Sequence, residues 1–276
     1  MQRRSDLIAP VALTIAGHDP SSGAGISADL QVFSAYRLVG LSAITALTAQ
    51  STLGVSAVEP VLPAFLGQVL SVLDADLPPD GVKIGMLGSA AMASTVASFL
   101  QVKHQYFPDK PFISIVLDPV LVSSSGAALL TPEGVDILRQ ELLPLAGWVT
   151  PNWAELAVLT GLPIGSLGEA EAAMHQLGTL HPHLHIVATG GDQARPIDLL
   201  RLPDGSIHRF EGERIETKST HGTGCAFSSA LLCRLLLGDE PVAAVRAAKE
   251  YVTEAIRRAP GIGHGHGPLD LLWPLR

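Results

Sequence analysis

Short apolar runs alternate with segments of helical periodicity along most of the chain. Val11 to Ala16 is continuously apolar, as in a strand covered on both faces, and Ala24 to Tyr36 repeats apolar residues with the period of a helix. Further strands are predicted at Leu41–Thr48, Val55–Val61, Gly81–Met86, Ile113–Leu117, Trp148–Thr150, His185–Ala188, Pro196–Leu202 and Ser206–Phe210. Helices are predicted at Ala64–Leu73, Ser89–Leu100, Trp153–Thr160, Gly168–Gly178, Gly222–Leu237 and Val242–Ala259, with one more beginning at Pro132.

This alternation predicts an α/β fold, with one domain over residues 1–276 and a doubly wound, mostly parallel sheet flanked by helices. In such a sheet the ligand binds outside the carboxyl ends of the strands, where the strand order reverses and leaves a crevice. Functional residues are therefore expected where strands end.

Composition narrows the class of protein and of partner. Of the 276 residues, 47% are hydrophobic and 16% are charged, so the chain can bury a core and is not disordered. The formal net charge is −8 and no block of lysine or arginine occurs, which argues against a nucleic-acid partner. No apolar run reaches the roughly 18 uncharged residues of a membrane helix, so no membrane association is predicted.

Two features bear on the compartment. Cys225 and Cys233 stand on one predicted helix, about 12 Å apart at the helical rise, which is too far for a disulfide. The apolar run after Arg3 and Arg4 is like a short signal peptide, but Asp6 and Pro10 interrupt it. A cytoplasmic protein is therefore expected.

The loop after the first strand is rich in glycine. Its Gly23-x-Gly25-x-x-Ala28 spacing fits a dinucleotide fingerprint, but the loop is too long and the acidic residue expected about 20 positions later is missing. A nicotinamide oxidoreductase is therefore only a distant alternative. The better interpretation is a glycine-lined pocket wall with Asp29 facing a ligand; the alternative places Asp29 on a solvated helix face.

Two further strand ends carry carboxyl groups. Asp118 precedes Pro119 after an apolar strand, where it can hold Mg²⁺ opposite a nucleotide phosphate or simply begin an Asx turn. Asn152 and Glu155 have the spacing of a capping box, yet the same side chains could face the crevice toward phosphate and Mg²⁺. Spacing alone leaves these interpretations open.

A glycine-rich turn begins the penultimate helix. Thr220-His221-Gly222-Thr223-Gly224-Cys225 leaves backbone N–H groups without helical acceptors, and with the positive end of the helix they form an anion site. Cys225 lies in the first turn, where the helix is expected to lower the pKa of its thiol. A small apolar cysteine packed under the turn is the alternative.

Other catalytic motifs are missing from the sequence or weak. There is no Gly-x-x-x-x-Gly-Lys-Ser/Thr and no Gly-x-Ser-x-Gly, so neither a P-loop enzyme nor an α/β-hydrolase is expected. The extended run from His181 to His185 lacks the helical spacing of a zinc site. The run from His264 to Gly267 is either a tail or a flap over the nucleotide.

Six segments occur in one order along the chain: Ile15–Gly25, Ile44–Thr52, Lys83–Leu87, Leu117–Val120, Thr150–Leu156 and His221–Cys225. This ordered set resembles the ribokinase superfamily and, within it, the hydroxymethylpyrimidine and phosphomethylpyrimidine kinases of thiamine biosynthesis. The resemblance implies a ribokinase-like fold. It also implies ATP-dependent phosphorylation of a hydroxymethylpyrimidine and then of its monophosphate.

The resemblance implies roles for individual residues. The pyrimidine would be bound by Gly17, Ala24, Asp29, Gln50, Met86 and Val120, with Asp29 and Gln50 as the hydrogen-bonding groups. ATP would be bound by Asn152, Thr189, Gly191, Thr220, Gly222 and Gly224, and Mg²⁺ by Asp118 and Glu155. Gly222, Thr223 and Gly224 would form the anion hole for the γ-phosphoryl group, and Cys225 would act as the base.

One position departs from the family pattern. Thr189 stands where the family commonly has a lysine, so a cation near the phosphates is missing. A catalytically weak pyrimidine-binding protein on the same fold is therefore one alternative. A pyridoxal kinase is another, since both substrates are flat heteroaromatics with a hydroxymethyl arm, although Gln50 and Met86 favour the pyrimidine. The family is often dimeric, and the apolar strands around residues 41–61 offer an interface for a homodimer.

Overall fold

A computed structural model of the chain describes residues 9–106, 115–122, 126, 128–190 and 196–276, and a nine-stranded sheet runs through them. The strands are β1 (Val11–His18), β2 (Val39–Ser51), β3 (Gly54–Pro60), β4 (Gly81–Ile84), β5 (Ile115–Leu117), β6 (Trp148–Val149), β7 (His185–Ala188), β8 (Ile197–Arg201) and β9 (Ile207–Glu211). Their order across the sheet is β3-β2-β1-β4-β5-β6-β7-β8-β9.

Strand direction places the crevice. Six neighbouring strands pair in parallel, in the order β2-β1-β4-β5-β6-β7. The strands at the two edges pair antiparallel: β3 on one side, and β8 and β9 on the other. The chain moves from β1 outward to β2 and then returns to the other side of β1 at β4, so the strand order reverses there. This confirms the doubly wound, mostly parallel sheet and locates the expected ligand site at the carboxyl ends of its central strands.

Helices cover both faces of the sheet. They are α1 (Gly25–Ala35), α2 (Pro63–Asp76), α3 (Ala90–Tyr106), α4 (Pro132–Ile137), α5 (Trp153–Thr160), α6 (Leu167–Leu180), α7 (Thr223–Leu236) and α8 (Pro241–Arg257). One apolar core contains Leu70, Val96 and Met174 under α2, α3 and α6, and the other contains Val32 and Leu231 under α1 and α7. Among the described residues no helix is long and apolar enough to cross a membrane.

Local sequence signals account for the ends of several elements. The side chain of Thr131 accepts a hydrogen bond from Gly134 N at the start of α4, and Pro132 takes the first helical position. The predicted hairpin at Asp204-Gly205 is confirmed, with Gly205 at φ +89° between β8 and β9. Of the strand predicted from Ile113, the structure describes the part from Ile115 onward.

Candidate active site

A cleft of about 740 Å³ opens at the carboxyl ends of the central strands. The predicted site residues that line it are Gly17, Ala24, Gln50, Met86, Asp118, Val120, Asn152, Glu155, Thr189, Thr220, Gly222, Thr223, Gly224 and Cys225. Two predicted residues are not among them: Asp29 lies elsewhere, and Gly191 falls outside the described residues. Residues far apart in the sequence thus meet at one crevice.

The loop after β1 packs directly against the start of α7. Gly222 precedes the helix at φ +80°, and a Cβ there would collide with the carbonyl oxygen of Gly23. A Cβ on Gly23 would in turn collide with the ring of His221. Only glycine fits this approach. The N–H groups of the first helical turn, whose acceptors lie outside the helix, therefore point into the cleft mouth as an anion site.

Cys225 is half-buried in that first turn. Burial raises the pKa of its thiol to about 12, although the nearby Lys83 ammonium lowers it. The expected lowering of this pKa by the helix is therefore wrong, because the loss of hydration of the thiolate outweighs the helix dipole. The thiol holds its proton at neutral pH.

Asp29 is fully buried and does not reach the cleft. It accepts hydrogen bonds from Thr14 Oγ1 at 2.6 Å, Lys83 Nζ at 2.9 Å and Ser229 Oγ at 2.8 Å. The expectation that it binds the pyrimidine is wrong, and so is the alternative of a solvated helix face. Its carboxylate instead joins α1 to β1, β4 and α7.

Lys83 is the buried partner of Asp29, and neither side chain is exposed. Burial by itself would lower the pKa of Lys83, but the Asp29 carboxylate raises it above its usual value. Lys83 therefore keeps its proton although it is fully buried. The charges of Lys83 and Asp29 reach Cys225 and Asp118, whose own pKa values they influence.

Asp118 is the carboxylate at the end of β5, only 5% exposed. It accepts a hydrogen bond from Ser228 Oγ at 2.9 Å. Burial raises the pKa of Asp118, and Lys83 lowers it in part. A cation bound beside this carboxylate would offset its burial.

Asn152 and Glu155 form the capping box at the start of α5. Glu155 N donates to Asn152 Oδ1 at 2.9 Å, and Asn152 N donates to Glu155 Oε2 at 3.0 Å. Glu155 Oε1 also accepts from Leu121 N at 3.2 Å. The capping interpretation is confirmed, and both side chains line the cleft as well.

Two threonines flank these groups. Thr189 pairs beside Asn152 in a parallel bridge, and Thr189 N donates to Pro151 O at 2.9 Å. Thr150 also lines the cleft, and within the described part of the chain its buried Oγ1 has no hydrogen-bond partner. An unpaired buried hydroxyl in the cleft that Asp118 and Glu155 also line is suited to a bound ligand oxygen or water.

The sequence analysis missed four polar residues of this region. His221 Nε2 lies 2.7 Å from Asp19 Oδ2, and both residues line the cleft. Lys249 Nζ donates to Asp198 Oδ2 at 2.7 Å at the other end of the cleft. His221 and Asp19 stand inside the motifs that carry the resemblance, so a signal was present, whereas no motif marks Lys249 or Asp198.

The two histidine segments have different surroundings. His185 stacks on Trp148, and burial lowers its pKa. In the segment near the C-terminus, His266 N donates to Thr52 O at 2.8 Å and His266 Nδ1 lies 3.1 Å from Thr220 Oγ1. That segment thus lies along the cleft. Among the described residues no three His, Cys, Asp or Glu side chains are grouped to hold a metal by themselves.

Known proteins share both the sequence and the fold. The family model for phosphomethylpyrimidine kinase matches residues 19–270. A hydroxymethylpyrimidine/phosphomethylpyrimidine kinase of Synechococcus elongatus is 39% identical over 267 residues, which cover 96% of this chain and 98% of that protein. A crystal structure of phosphomethylpyrimidine kinase from Clostridium difficile has a TM-score of 0.76 and 35% identity, covering 90% of this chain and 99% of that one.

A second solved structure is also similar. The ADP complex of Bacillus subtilis pyridoxal kinase has a TM-score of 0.85 and 30% identity, covering 97% of this chain and 100% of that chain. These likenesses confirm the ribokinase-like fold. By the extent of the family match and the identity to its curated members, the chain belongs to the phosphomethylpyrimidine kinase family.

Proposed function

We propose that this protein transfers the γ-phosphoryl group of ATP to the hydroxyl of a hydroxymethylpyrimidine, and then phosphorylates the resulting monophosphate. The observation that carries the proposal is the meeting, in one cleft, of the anion site of α7, the carboxylates Asp118 and Glu155, and an apolar slot at β1 and β4. The names of the related kinases support this pair of acceptors.

The slot suits a flat ring. Gly17 leaves room beside Met86, since a Cβ at Gly17 would lie 2.9 Å from Met86 Sδ. Val120, in the loop after β5, closes the slot at φ +41°, a conformation rarely adopted by a β-branched residue and typical of a functional constraint. Ala24 and Gln50 complete it, with Gln50 as the group that recognises ring nitrogens.

ATP occupies the other end of the cleft in this proposal. Asn152, Thr189 and Thr220 line the path of the phosphates, and the N–H groups of Thr223, Gly224 and Cys225 receive the γ-phosphoryl group. Thr189 offers a hydroxyl where the family commonly has a cation, so charge stabilisation rests more heavily on these backbone dipoles.

The donor set fits Mg²⁺. Asp118 and Glu155 supply carboxylate oxygens, and the unpaired Thr150 Oγ1 can bind a water or a phosphate oxygen in the same cleft. When bound with ATP, Mg²⁺ would neutralise charge on the phosphate oxygens. Asp118 and Glu155 would hold it, while Ser228 keeps Asp118 in place.

Cys225 is proposed to accept the acceptor hydroxyl's proton late in the transfer. The bond to the leaving phosphate oxygen breaks early in a loose transition state, so positioning and charge stabilisation contribute most. Because the thiol pKa is raised to about 12, the base form is scarce at neutral pH. The rate of the chemical step should therefore rise about tenfold per pH unit from pH 7 to 9 if Cys225 is the base.

A pyridoxal kinase is the second candidate, favoured by the fit to the Bacillus subtilis enzyme over 97% of this chain. Its substrate also presents a hydroxymethyl arm on a flat ring. A catalytically weak pyrimidine-binding protein is the third, motivated by Thr189.

A cytoplasmic homodimer is proposed as the working state. One hairpin carries exposed apolar side chains: Leu47 on β2, Val58 on β3 and Leu53 in the turn between them. Light scattering across a concentration series tests this: a mass of one chain at all concentrations would contradict the dimer.

The experiment for the activity is ADP release coupled to NADH oxidation, with hydroxymethylpyrimidine as the acceptor and Cys225→Ala as the variant. We expect Mg²⁺-dependent turnover by the wild type, and a lower kcat with similar pyrimidine affinity in the variant. Tight pyrimidine binding by calorimetry without any ADP release would instead favour the binding protein.

A further inference from the structure

Three polar side chains from distant parts of the chain meet at the rim of the apolar slot. His221 Nε2 lies 2.7 Å from Asp19 Oδ2 and 3.0 Å from the amide of Gln50. His221 and Asp19 are both buried, at 7% and 3% exposure. His221 therefore lies between the buried carboxylate of Asp19 and Gln50, the side chain proposed to recognise the pyrimidine ring.

The position of the proton on His221 follows from Asp19. Burial by itself would raise the pKa of Asp19, but hydrogen bonds from His221 and Ser21 hold it below its usual value. Its carboxylate is thus ionised and can only accept. A lone pair on Nε2 facing Asp19 Oδ2 at 2.7 Å would be repelled, so His221 Nε2 carries a hydrogen and donates it to Asp19.

The orientation of the Gln50 amide follows from its two neighbours, His221 and Thr48. With its hydrogen in place, His221 Nε2 has no lone pair to accept from an amide NH₂, so only the oxygen of the Gln50 amide suits the position 3.0 Å away. There it shares, in a three-centre bond, the hydrogen that Asp19 also accepts. Thr48 gives the same answer independently. Thr48 Oγ1 lies 2.9 Å from His18 O and 3.3 Å from the Gln50 amide. The carbonyl of His18 can only accept and makes the shorter contact, so the single hydroxyl hydrogen goes to it and Thr48 Oγ1 is left as an acceptor toward Gln50. The hydrogen-bond network therefore assigns the amide NH₂ to the Thr48 side and the oxygen to the His221 side, which turns the amide over from the placement with Nε2 beside His221 and Oε1 beside Thr48.

We propose that His221, oriented by Asp19, is a positioning residue that fixes the Gln50 amide and with it the substrate specificity of the cleft. The inference rests on the proposed function, since it concerns recognition of the same ring. A free amide can turn over and present its donor and acceptor in either order. An amide held by His221 on one side and Thr48 on the other presents one order only.

This order selects among flat heteroaromatic acceptors. An aminopyrimidine edge carries an amino donor next to a ring-nitrogen acceptor, and it pairs with an amide presented in the matching order. A hydroxypyridine such as pyridoxal carries a different arrangement of donors and acceptors around its ring. A site with a fixed polar group rejects a mismatched ligand strongly, because one buried group is left unpaired.

The test compares His221→Leu, which removes the Nε2 donor, with His221→Gln, which restores an N–H near the same position. Ser21→Ala is the matched control: it removes one hydrogen bond to the same Asp19 carboxylate and leaves the contact between His221 and Gln50 intact. KM and kcat are measured for hydroxymethylpyrimidine, pyridoxal and ATP. Calorimetry gives the pyrimidine Kd without turnover, and thermal melts confirm that each variant is folded.

We expect His221→Leu to raise the pyrimidine KM and Kd about tenfold, the size of one hydrogen bond, with kcat and the ATP KM within about threefold. Its preference for pyrimidine over pyridoxal should fall by a similar factor. His221→Gln should recover most of the loss, and Ser21→Ala should change KM less than about twofold. Equal losses of kcat and affinity for all substrates, or no rescue by His221→Gln, would overturn the proposal.

A double-mutant cycle with Gln50→Ala shows through which residue His221 acts. If His221 works by holding Gln50, the double variant binds the pyrimidine no worse than Gln50→Ala alone. Additive losses would overturn the positioning role while leaving the proposed function standing. Failure of the proposed function is distinguishable, because the folded wild type would then bind the pyrimidine and release no ADP.

Discussion

Removal of the Lys83 ammonium from its buried ion pair with Asp29 should lower the free energy of unfolding more than the loss of any surface charge. In Lys83→Met the Asp29 carboxylate stays fully buried, with only the hydroxyls of Thr14 and Ser229 as donors. Loss of one partner of a buried ion pair costs about 3–5 kcal/mol, because the remaining charge is uncompensated. At about 2–4 °C per kcal/mol for a chain of this size, the melting temperature should fall by roughly 6–20 °C.

The measurement is thermal and urea unfolding at pH 7, followed by circular dichroism. Arg209→Met is the control: its ion pair with Glu171 at 2.7 Å is exposed, with 58% of the arginine side chain accessible, and its loss should cost less than about 1 kcal/mol. The double variant Lys83→Met with Asp29→Asn should recover a large part of the loss, because no unpaired charge remains. A Lys83→Met protein as stable as Arg209→Met would refute the reasoning.

Three further predictions concern the cleft. Because burial raises the thiol pKa of Cys225 from 9.0 to about 12, this cysteine has roughly a thousandfold less thiolate at pH 8 than an exposed cysteine. Its alkylation by iodoacetamide should be slow, and the rate should still rise with pH above pH 10. A rate that reaches a plateau below pH 9 would contradict this. Gly222→Ala should destabilise the fold by at least about 2 kcal/mol, because the added methyl group collides with Gly23. Gly224→Ala is the control: its methyl group points into open space, so this variant should unfold no earlier than the wild type. Equal melting temperatures of the two variants would count against this packing. Glu155→Gln keeps one oxygen for the capping bond from Asn152 N but turns an NH₂ toward Leu121 N, so its stability should fall by about 1–3 kcal/mol. Because the charge is also lost, the Mg²⁺ concentration for half-maximal rate should rise several-fold. An unchanged Mg²⁺ requirement would remove Glu155 from the metal site.

Apolar runs, helical periodicity and capping motifs predicted most of the strands and helices, because each of these signals depends only on residues within one short segment. The apolar run at Val11 gave a central strand, and the spacing of Asn152 and Glu155 gave a capping box that the structure contains. The positions of the strand ends in the sequence were also sufficient to predict that most candidate site residues meet at one crevice, because the carboxyl ends of parallel strands share one edge of the sheet.

Burial was the property that the sequence did not predict. Asp29 was expected at the ligand, but its partners Lys83 and Ser229 lie 54 and 200 residues away in the chain, and only the folded sheet brings them together. The Cys225 pKa was predicted in the wrong direction for the same reason. The helix dipole is visible in the sequence, while the desolvation that outweighs it depends on tertiary packing.

The most direct test of the central claim is kcat/KM for hydroxymethylpyrimidine, its monophosphate and pyridoxal, measured side by side by ADP release. The account predicts turnover of both pyrimidines, with kcat/KM for the alcohol above that for pyridoxal. A higher kcat/KM for pyridoxal, or no ADP release with either pyrimidine, would contradict it.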